Sequence, residues 1–164
     1  MFTLPTPVVA KKGIRDTYLK ALRDLQKKSD DPDTQMTAII LSKDLKTKVS
    51  KANAMPLGVL KDAERLIRPE KYHWIEHAER NAIYDSAKYG LALNGATMFA
   101  LCMPCIDCAR GIACSGIKRL YIDYDFTESY IDGNAAKWEE GFKRVFALLD
   151  EAGVEVTFLT SRDI

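Results

Sequence analysis

Apolar residues recur along the chain with two periods, and the alternation between them predicts the order of elements. Ile14, Tyr18, Leu22 and Leu25 repeat at a helical spacing, which predicts a helix over 14–28. The run 36–41 is short, apolar and partly β-branched, as a buried strand is. Lys43-Asp44-Leu45-Lys46 then predicts a hairpin turn, and 47–52 a more exposed returning strand. Residues 59–68 predict a short helix that ends before Pro69. A better helix spans 76–89 and is stopped by Gly90. A buried strand follows over 96–102, and Pro104 opens a helix over 105–114 that Ser115-Gly116 closes. A strand is expected over 119–123 and a polar, aromatic loop over 124–133. A long amphipathic helix over 134–152 carries Trp138, Phe142, Val145, Leu148 and Leu149 on one side, and a last strand covers 154–159. Strand and helix alternate through the second half. The expected fold is therefore α/β, a three-layer α/β/α sandwich around a mixed sheet of about five strands with parallel pairing late in the chain.

The 164 residues, 47% of them apolar, suit one domain. Residues 1–13, with two prolines and a Lys-Lys-Gly, read as an irregular lead-in, and 14–164 as a single domain. Twenty-four basic and 23 acidic residues leave a net charge of +1, which argues against an extended nucleic-acid tract or a membrane-surface patch. No apolar run approaches the roughly 18 residues of a membrane span. The start lacks the basic and apolar regions of a signal peptide, so a cytoplasmic location is expected.

The four cysteines, Cys102, Cys105, Cys108 and Cys114, fall within one short stretch. A disulfide scaffold would spread them out, so clustering points to metal or thiol chemistry. The two histidines are His73 and His77. Cys105 and Cys108 share one face of a helix's first turn, where unpaired N–H groups and the helix dipole favour thiolates. Two thiolates and one imidazole make a three-ligand zinc site with an open fourth position, and zinc lowers the pKa of a water there to roughly 7. His77 and Glu79 are two residues apart, about 200° around a regular helix. They converge only at a helix end, where His77 can hold metal and Glu79 can move protons. His77-Ala78-Glu79 followed by Pro104-Cys105-Ile106-Asp107-Cys108 is the documented signature of zinc nucleobase deaminases. A four-ligand structural zinc site leaves Glu79 and Pro104 without a purpose, and a redox dithiol leaves His77 idle. Cys102 and Cys114 are expected to be small buried hydrophobes, and His73 a loop or pocket-wall residue.

The chain resembles deoxycytidylate (dCMP) deaminases of the cytidine-deaminase-like superfamily, over about residues 28–153. His77-Ala78-Glu79-Arg80-Asn81-Ala82-Ile83, Pro104 to Ala109 and Ser115 to Arg119 carry the likeness. Ser29 to Gln35 and Asn53 to Gly58 are similar to two segments of the nucleotide deaminases in particular. The resemblance implies hydrolysis of dCMP to dUMP, with one Zn²⁺ per subunit on His77, Cys105 and Cys108 and with Glu79 as the proton carrier. It also implies base-edge contact by the backbone of Ala78, a sugar contact from Asn53, and a phosphate contact from Lys28. It suggests a homohexamer with dCTP and dTTP as effectors, the triphosphate with Mg²⁺. Departures concern the phosphate end: Asp30 stands where a Lys is usual, and Leu57 where a basic residue is frequent. Arg80, Arg110 and Arg119 are further candidates for anions. Aromatics in 124–130 are candidates to stack on the base. The competing readings are a transfer-RNA adenosine deaminase, a deaminase of a free nucleoside, guanine or a riboflavin precursor, and a non-catalytic zinc protein.

Overall fold

The computed structural model describes residues 3–133 and 135–162. The first residue of the helix expected over 134–152 lies outside the described residues, as do the first two of the lead-in and the last two of the chain. Strands β1 (Val8–Val9), β2 (Thr37–Leu41), β3 (Lys48–Ala52), β4 (Thr97–Ala100), β5 (Arg119–Asp123) and β6 (Glu155–Thr160) form one mixed sheet in the order β1-β6-β5-β4-β2-β3. β1, β6, β5 and β4 are mutually parallel, whereas β2 runs antiparallel to both β4 and β3. The helices are α1 (Lys12–Ile14), α2 (Lys20–Leu25), α3 (Ala78–Lys88), α4 (Ile106–Cys114), α5 (Tyr124–Ile131) and α6 (Ala135–Glu151). A π-helical turn, Arg15–Leu19, joins α1 to α2.

Period-two alternation assigns the two faces. Ala38, Ile40, Met98, Ala100, Leu120 and Ile122 point to one side, where they pack on Ala78 and Ala82 of α3, Ala109 and Ile112 of α4, and Phe142, Val145 and Leu149 of α6. Ile39, Leu41, Phe99 and Leu101 point to the other, beneath Leu19 and Leu22 of the N-terminal helical segment. Every residue of β2 is buried because both faces are covered. Each large apolar side chain buried this way stabilises the fold by about 1.5–3 kcal/mol relative to exposure. The three-layer sandwich is thus present.

Four expectations need correction. The sheet has six strands, because Val8 and Val9 of the lead-in pair with Leu159 and Thr160 of β6. Two residues just after Pro7 are too few for a periodic signal, and tertiary pairing decides. Residues 124–133 are not a loop but carry α5. Asp123 caps this helix, its carboxylate accepting from the Phe126 N–H at 3.0 Å. Residues 59–68 hold no α-helix but one 3-10 turn, Ala63–Leu66, capped by Asp62. Cys114 is exposed at the end of α4 rather than buried.

Candidate active site

Two helix N-termini meet beyond the carboxyl end of β4. His77 is the N-cap of α3 in extended backbone (φ −67°, ψ 149°), and Cys105 is the N-cap of α4 (φ −72°, ψ 170°). Because His77 precedes the first helical residue, the 200° separation of a regular helix does not apply. Its ring and the Glu79 carboxylate therefore turn toward the same place. Asn81 anchors α3 to the sheet by donating to the Ala52 carbonyl at 3.0 Å.

His77 Nδ1 lies 3.6 Å from Cys105 Sγ and 3.5 Å from Cys108 Sγ. A tetrahedral zinc about 2.3 Å from sulfur and about 2.0 Å from nitrogen separates such donors by about 3.5 Å, so the set fits that ion. Among the described residues these three side chains are the one cluster of metal-ligating type. Cys102 and His73 are not part of it. Cys102 lies buried in the cavity wall with its thiol pushed up to about 12 by burial. His73 ends a 3-10 turn, exposed.

The charges around the thiols reinforce the reading. The Cys105 thiol is held down to about 3 by the hydrogen bond from Cys108 and by His77. Cys108 is pushed up by the neighbouring Cys105 thiolate and by burial. Two thiolates side by side need a cation between them. The Cys105 hydrogen bond raises the pKa of His77. Arg80 reaches both sulfurs, at 3.9 and 3.5 Å, while Glu76 holds its Nε at 2.8 Å. The Glu79 carboxyl is buried, and its Oε2 lies 3.5 Å from Cys108 Sγ. Burial raises its pKa, which suits a group that carries a proton.

The site opens into a cavity of about 460 Å³. His77, Glu79 and Cys105 form its metal end, and Met103, Ile106, Tyr130, Trp138 and Phe142 form an apolar wall. Tyr130 and Trp138 stand 5.7 Å apart, and Trp138 stacks on Phe142 at 5.9 Å.

Comparison with known proteins decides the family. The model of the cytidine and deoxycytidylate deaminase zinc-binding region matches residues 13–123. This chain belongs to that family. A 33% identical relative, an uncharacterised deaminase from the luxG 3′ region of Aliivibrio fischeri, aligns over 80% of this chain and 83% of its own length. The deoxycytidylate deaminase of enterobacteria phage T2 is 42% identical over 80 residues, which are 49% of this chain and 36% of the phage protein. This chain therefore matches about a third of the length of that relative. The fold is shared with the crystal structure of the dCMP deaminase of cyanophage S-TIM5 in complex with dCMP and dUMP. The TM-score is 0.65 at 23% identity, covering 91% of this chain and 98% of the other.

Within this chain the residues that the sequence suggests for substrate binding part company. Asn53 is buried and lines the cavity. Its Oδ1 accepts from Ser29 Oγ at 2.6 Å and from the Met36 N–H at 2.9 Å, while its Nδ2 donates to the Thr34 carbonyl at 2.8 Å. Both lone pairs are used, and one N–H is left for the cavity. Ala78 is fully buried and does not line the cavity, although its neighbours His77 and Glu79 do. Lys28 is not brought to the site. It stays exposed at the end of the 3-10 turn Gln26–Lys28, and the extended backbone of Ser29 carries Ser29, not Lys28, inward. Asp30 pairs with Lys61 at 2.7 Å, and Leu57 is 91% exposed. Arg110 and Arg119 pair with Asp107 and Glu155 away from the cavity. Of the aromatics in 124–130, Tyr130 lines the cavity, whereas Tyr124 donates to Glu128.

Sequence reading missed Arg68 and Lys71 in the lining, and took Trp138 and Phe142 only as a core stripe. For the last two a signal exists. Their i, i+4 spacing lies near the start of α6, in the crossover that leaves the carboxyl end of the parallel strand β5, the edge where α/β proteins bind ligands.

Proposed function

We propose that this chain hydrolyses dCMP to dUMP and ammonia, with zinc held by His77, Cys105 and Cys108. One observation carries the reading. A buried carboxyl, Glu79, stands 3.5 Å from a sulfur of a three-donor set, and both face a cavity that also presents Asn53. The names of the phage T2 relative and of the S-TIM5 structure, which holds dCMP and dUMP, support the substrate.

Zinc bound there supplies a Lewis acid that lowers the pKa of a water in its open position to about 7. Glu79 takes up the proton that the water loses and passes it to N3 of the base. It then carries a second proton to the 4-amino group. The oxygen stays on C4, the C4–N4 bond breaks, and ammonia leaves. The same residue is taken through two transfers, so its buried and raised carboxyl is matched to the task. His77 and the cysteines hold position, Asn53 offers its remaining N–H to the sugar, and the Tyr130–Trp138 wall excludes water from the base.

The test is a steady-state comparison of dCMP, CMP, deoxycytidine, 5-methyl-dCMP and 5-hydroxymethyl-dCMP by ammonia release. The dCMP reading expects the highest kcat/KM for a deoxynucleoside monophosphate. Equal values for deoxycytidine and dCMP would overturn it in favour of a nucleoside deaminase. The proposal extends to a cytoplasmic homohexamer that answers to dCTP and dTTP with Mg²⁺. Light scattering tests the hexamer, and dCMP saturation curves with and without each triphosphate test the effectors. No helix among the described residues is long and apolar enough to cross a membrane.

A further inference from the structure

The phosphate end of the substrate poses a problem specific to this chain. The positions that the resemblance makes basic are Asp30 and Leu57 here, and neither offers a cation. Lys28 lies outside the cavity lining. Three other cations do line the cavity: Arg68 and Lys71 from the segment between β3 and α3, and Lys137 from the first turn of α6.

Their surroundings separate them. Lys71 is buried, and its ammonium is spent on Asp31 at 2.7 and 2.9 Å and on Asp33 at 3.0 Å. Asp31 also accepts from the N–H groups of Asp33 and Thr34. Arg68 gives its Nε to Asp33 at 3.1 Å, one N–H to the Tyr72 hydroxyl at 2.5 Å, and a long contact of 3.4 Å to Thr34 Oγ1. The two aspartates are thus balanced by Lys71 and Arg68. A guanidinium has five N–H donors, so two of those on Arg68 remain. Tyr72 and Thr34, both in the lining, accept from Arg68 and keep their own O–H protons to donate. Lys137 is exposed, lies 5.4 Å from the Trp138 ring, and adds a positive charge to the same cavity. Asp33, itself solvent-accessible, pairs with the guanidinium Nε at 3.1 Å and leaves its other end to the cavity. A guanidinium with free N–H donors, flanking hydroxyls and a second cation is a receptor for a tetrahedral oxyanion.

We infer that Arg68, with Tyr72, Thr34 and Lys137, receives the 5′-phosphate of the substrate, replacing the basic positions lost at Asp30 and Leu57. This rests on the nucleotide reading above and assigns it residues. The buried Lys71 then works at one remove, by keeping Asp31 and Asp33 in place.

The experiment measures binding and turnover separately on the zinc-loaded full chain. Titration calorimetry with dUMP and with deoxyuridine compares wild type, Arg68→Gln, Lys137→Gln and the control Arg119→Gln. A charge-assisted hydrogen bond is worth about 1.5–3 kcal/mol, or about 10- to 100-fold in affinity. Arg68→Gln should therefore weaken dUMP by at least about tenfold and deoxyuridine by less than about twofold. Lys137→Gln should act in the same direction more weakly, with more of its effect lost at high salt. Arg68→Lys, which keeps charge but not the fork, should fall between. Unchanged dUMP binding in Arg68→Gln would overturn the inference, as would an equal loss for both ligands. A wild type that binds both ligands equally would also overturn it. A wild type that releases no ammonia from dCMP yet loses dUMP selectively in Arg68→Gln would sink the deaminase reading and leave this one standing.

Discussion

In the proposed reaction two demands meet at Glu79: it must be dry enough to hold a proton and close enough to deliver it. Replacing it by Ala removes the carrier without removing a metal donor. The variant is expected to keep one zinc per chain and to lose about 10²- to 10⁴-fold in kcat. Retention of more than about a tenth of the rate would end that role. Conversely, Cys105→Ala and Cys108→Ala should lose zinc by metal analysis and fold poorly, whereas Cys102→Ala and Cys114→Ala keep it. Full zinc in either of the first two would exclude this ligand set. These residues were legible in the sequence because metal chemistry restricts residue type and spacing so narrowly. Arg68 and Lys71 were not, because a cation in a segment with little regular structure has no periodicity to betray which way it faces. Lys28 shows the converse. Its neighbours Lys27 and Ser29 share its reach in sequence, but the change from helical to extended backbone at Ser29 turns Ser29 to Asn53 and leaves Lys28 exposed.

At the scale of elements, segments that bury a whole face were predictable, whatever their length, and β1 and α5, which do not, were missed. β2, β4, α3, α4 and α6 bury whole faces, so their patterns carry the core. α5 mixes Asp, Glu and Ser with aromatics, because one side packs on β5 and β6 while Tyr130 is turned to the cavity. Its N-cap, Asp123, was the available sign. Asn53 is one of the side chains that organise the loop before β2, beside Asp31 and Lys71. Asn53 ties Ser29, Thr34 and Met36 together, and a buried polar group left unpaired costs about 1–3 kcal/mol. Asn53→Ala is thus expected to do two things: raise the KM for dCMP, and lower Tm by several degrees at about 2–4 °C per kcal/mol. Zinc content should not change. A variant with normal Tm would show that these hydrogen bonds do not hold the loop.

On the scale of the whole molecule, two clasps close the fold, and they respond to different conditions. The C-terminal segment after β6 is held by Asp125, which accepts from Thr160 Oγ1 at 2.6 Å, Ser161 N–H at 3.0 Å, Ser161 Oγ at 2.8 Å and Arg162 Nε at 2.8 Å. Burial works against its charge, but these donors outweigh it, and its pKa lies below the usual 3.8. A depressed carboxylate stabilises the fold above its unfolded pKa and loses that contribution as pH falls through its folded one. Asp125→Asn should therefore cost about 2 kcal/mol at neutral pH, or about 4–8 °C in Tm. The gap to wild type should narrow as pH falls from 3.8 through the lower value of the folded state, and a gap independent of pH would refute the assignment. The second clasp, on the zinc reading, is the donor set His77, Cys105 and Cys108, which brings together the N-termini of α3 and α4 and confronts two thiol groups with the buried Glu79. Without a cation those groups cannot all be charged together, so the two helix starts should part more readily. Treatment with a zinc chelator is expected to lower Tm, and added zinc should restore it with a dependence on free metal that follows mass action. The Cys105→Ala chain, which lacks one donor, should show little of either response. If the chelated wild type melted at the temperature of the zinc-loaded one, the metal would belong to catalysis alone, and the packing of α3 against α4 would hold the site open by itself.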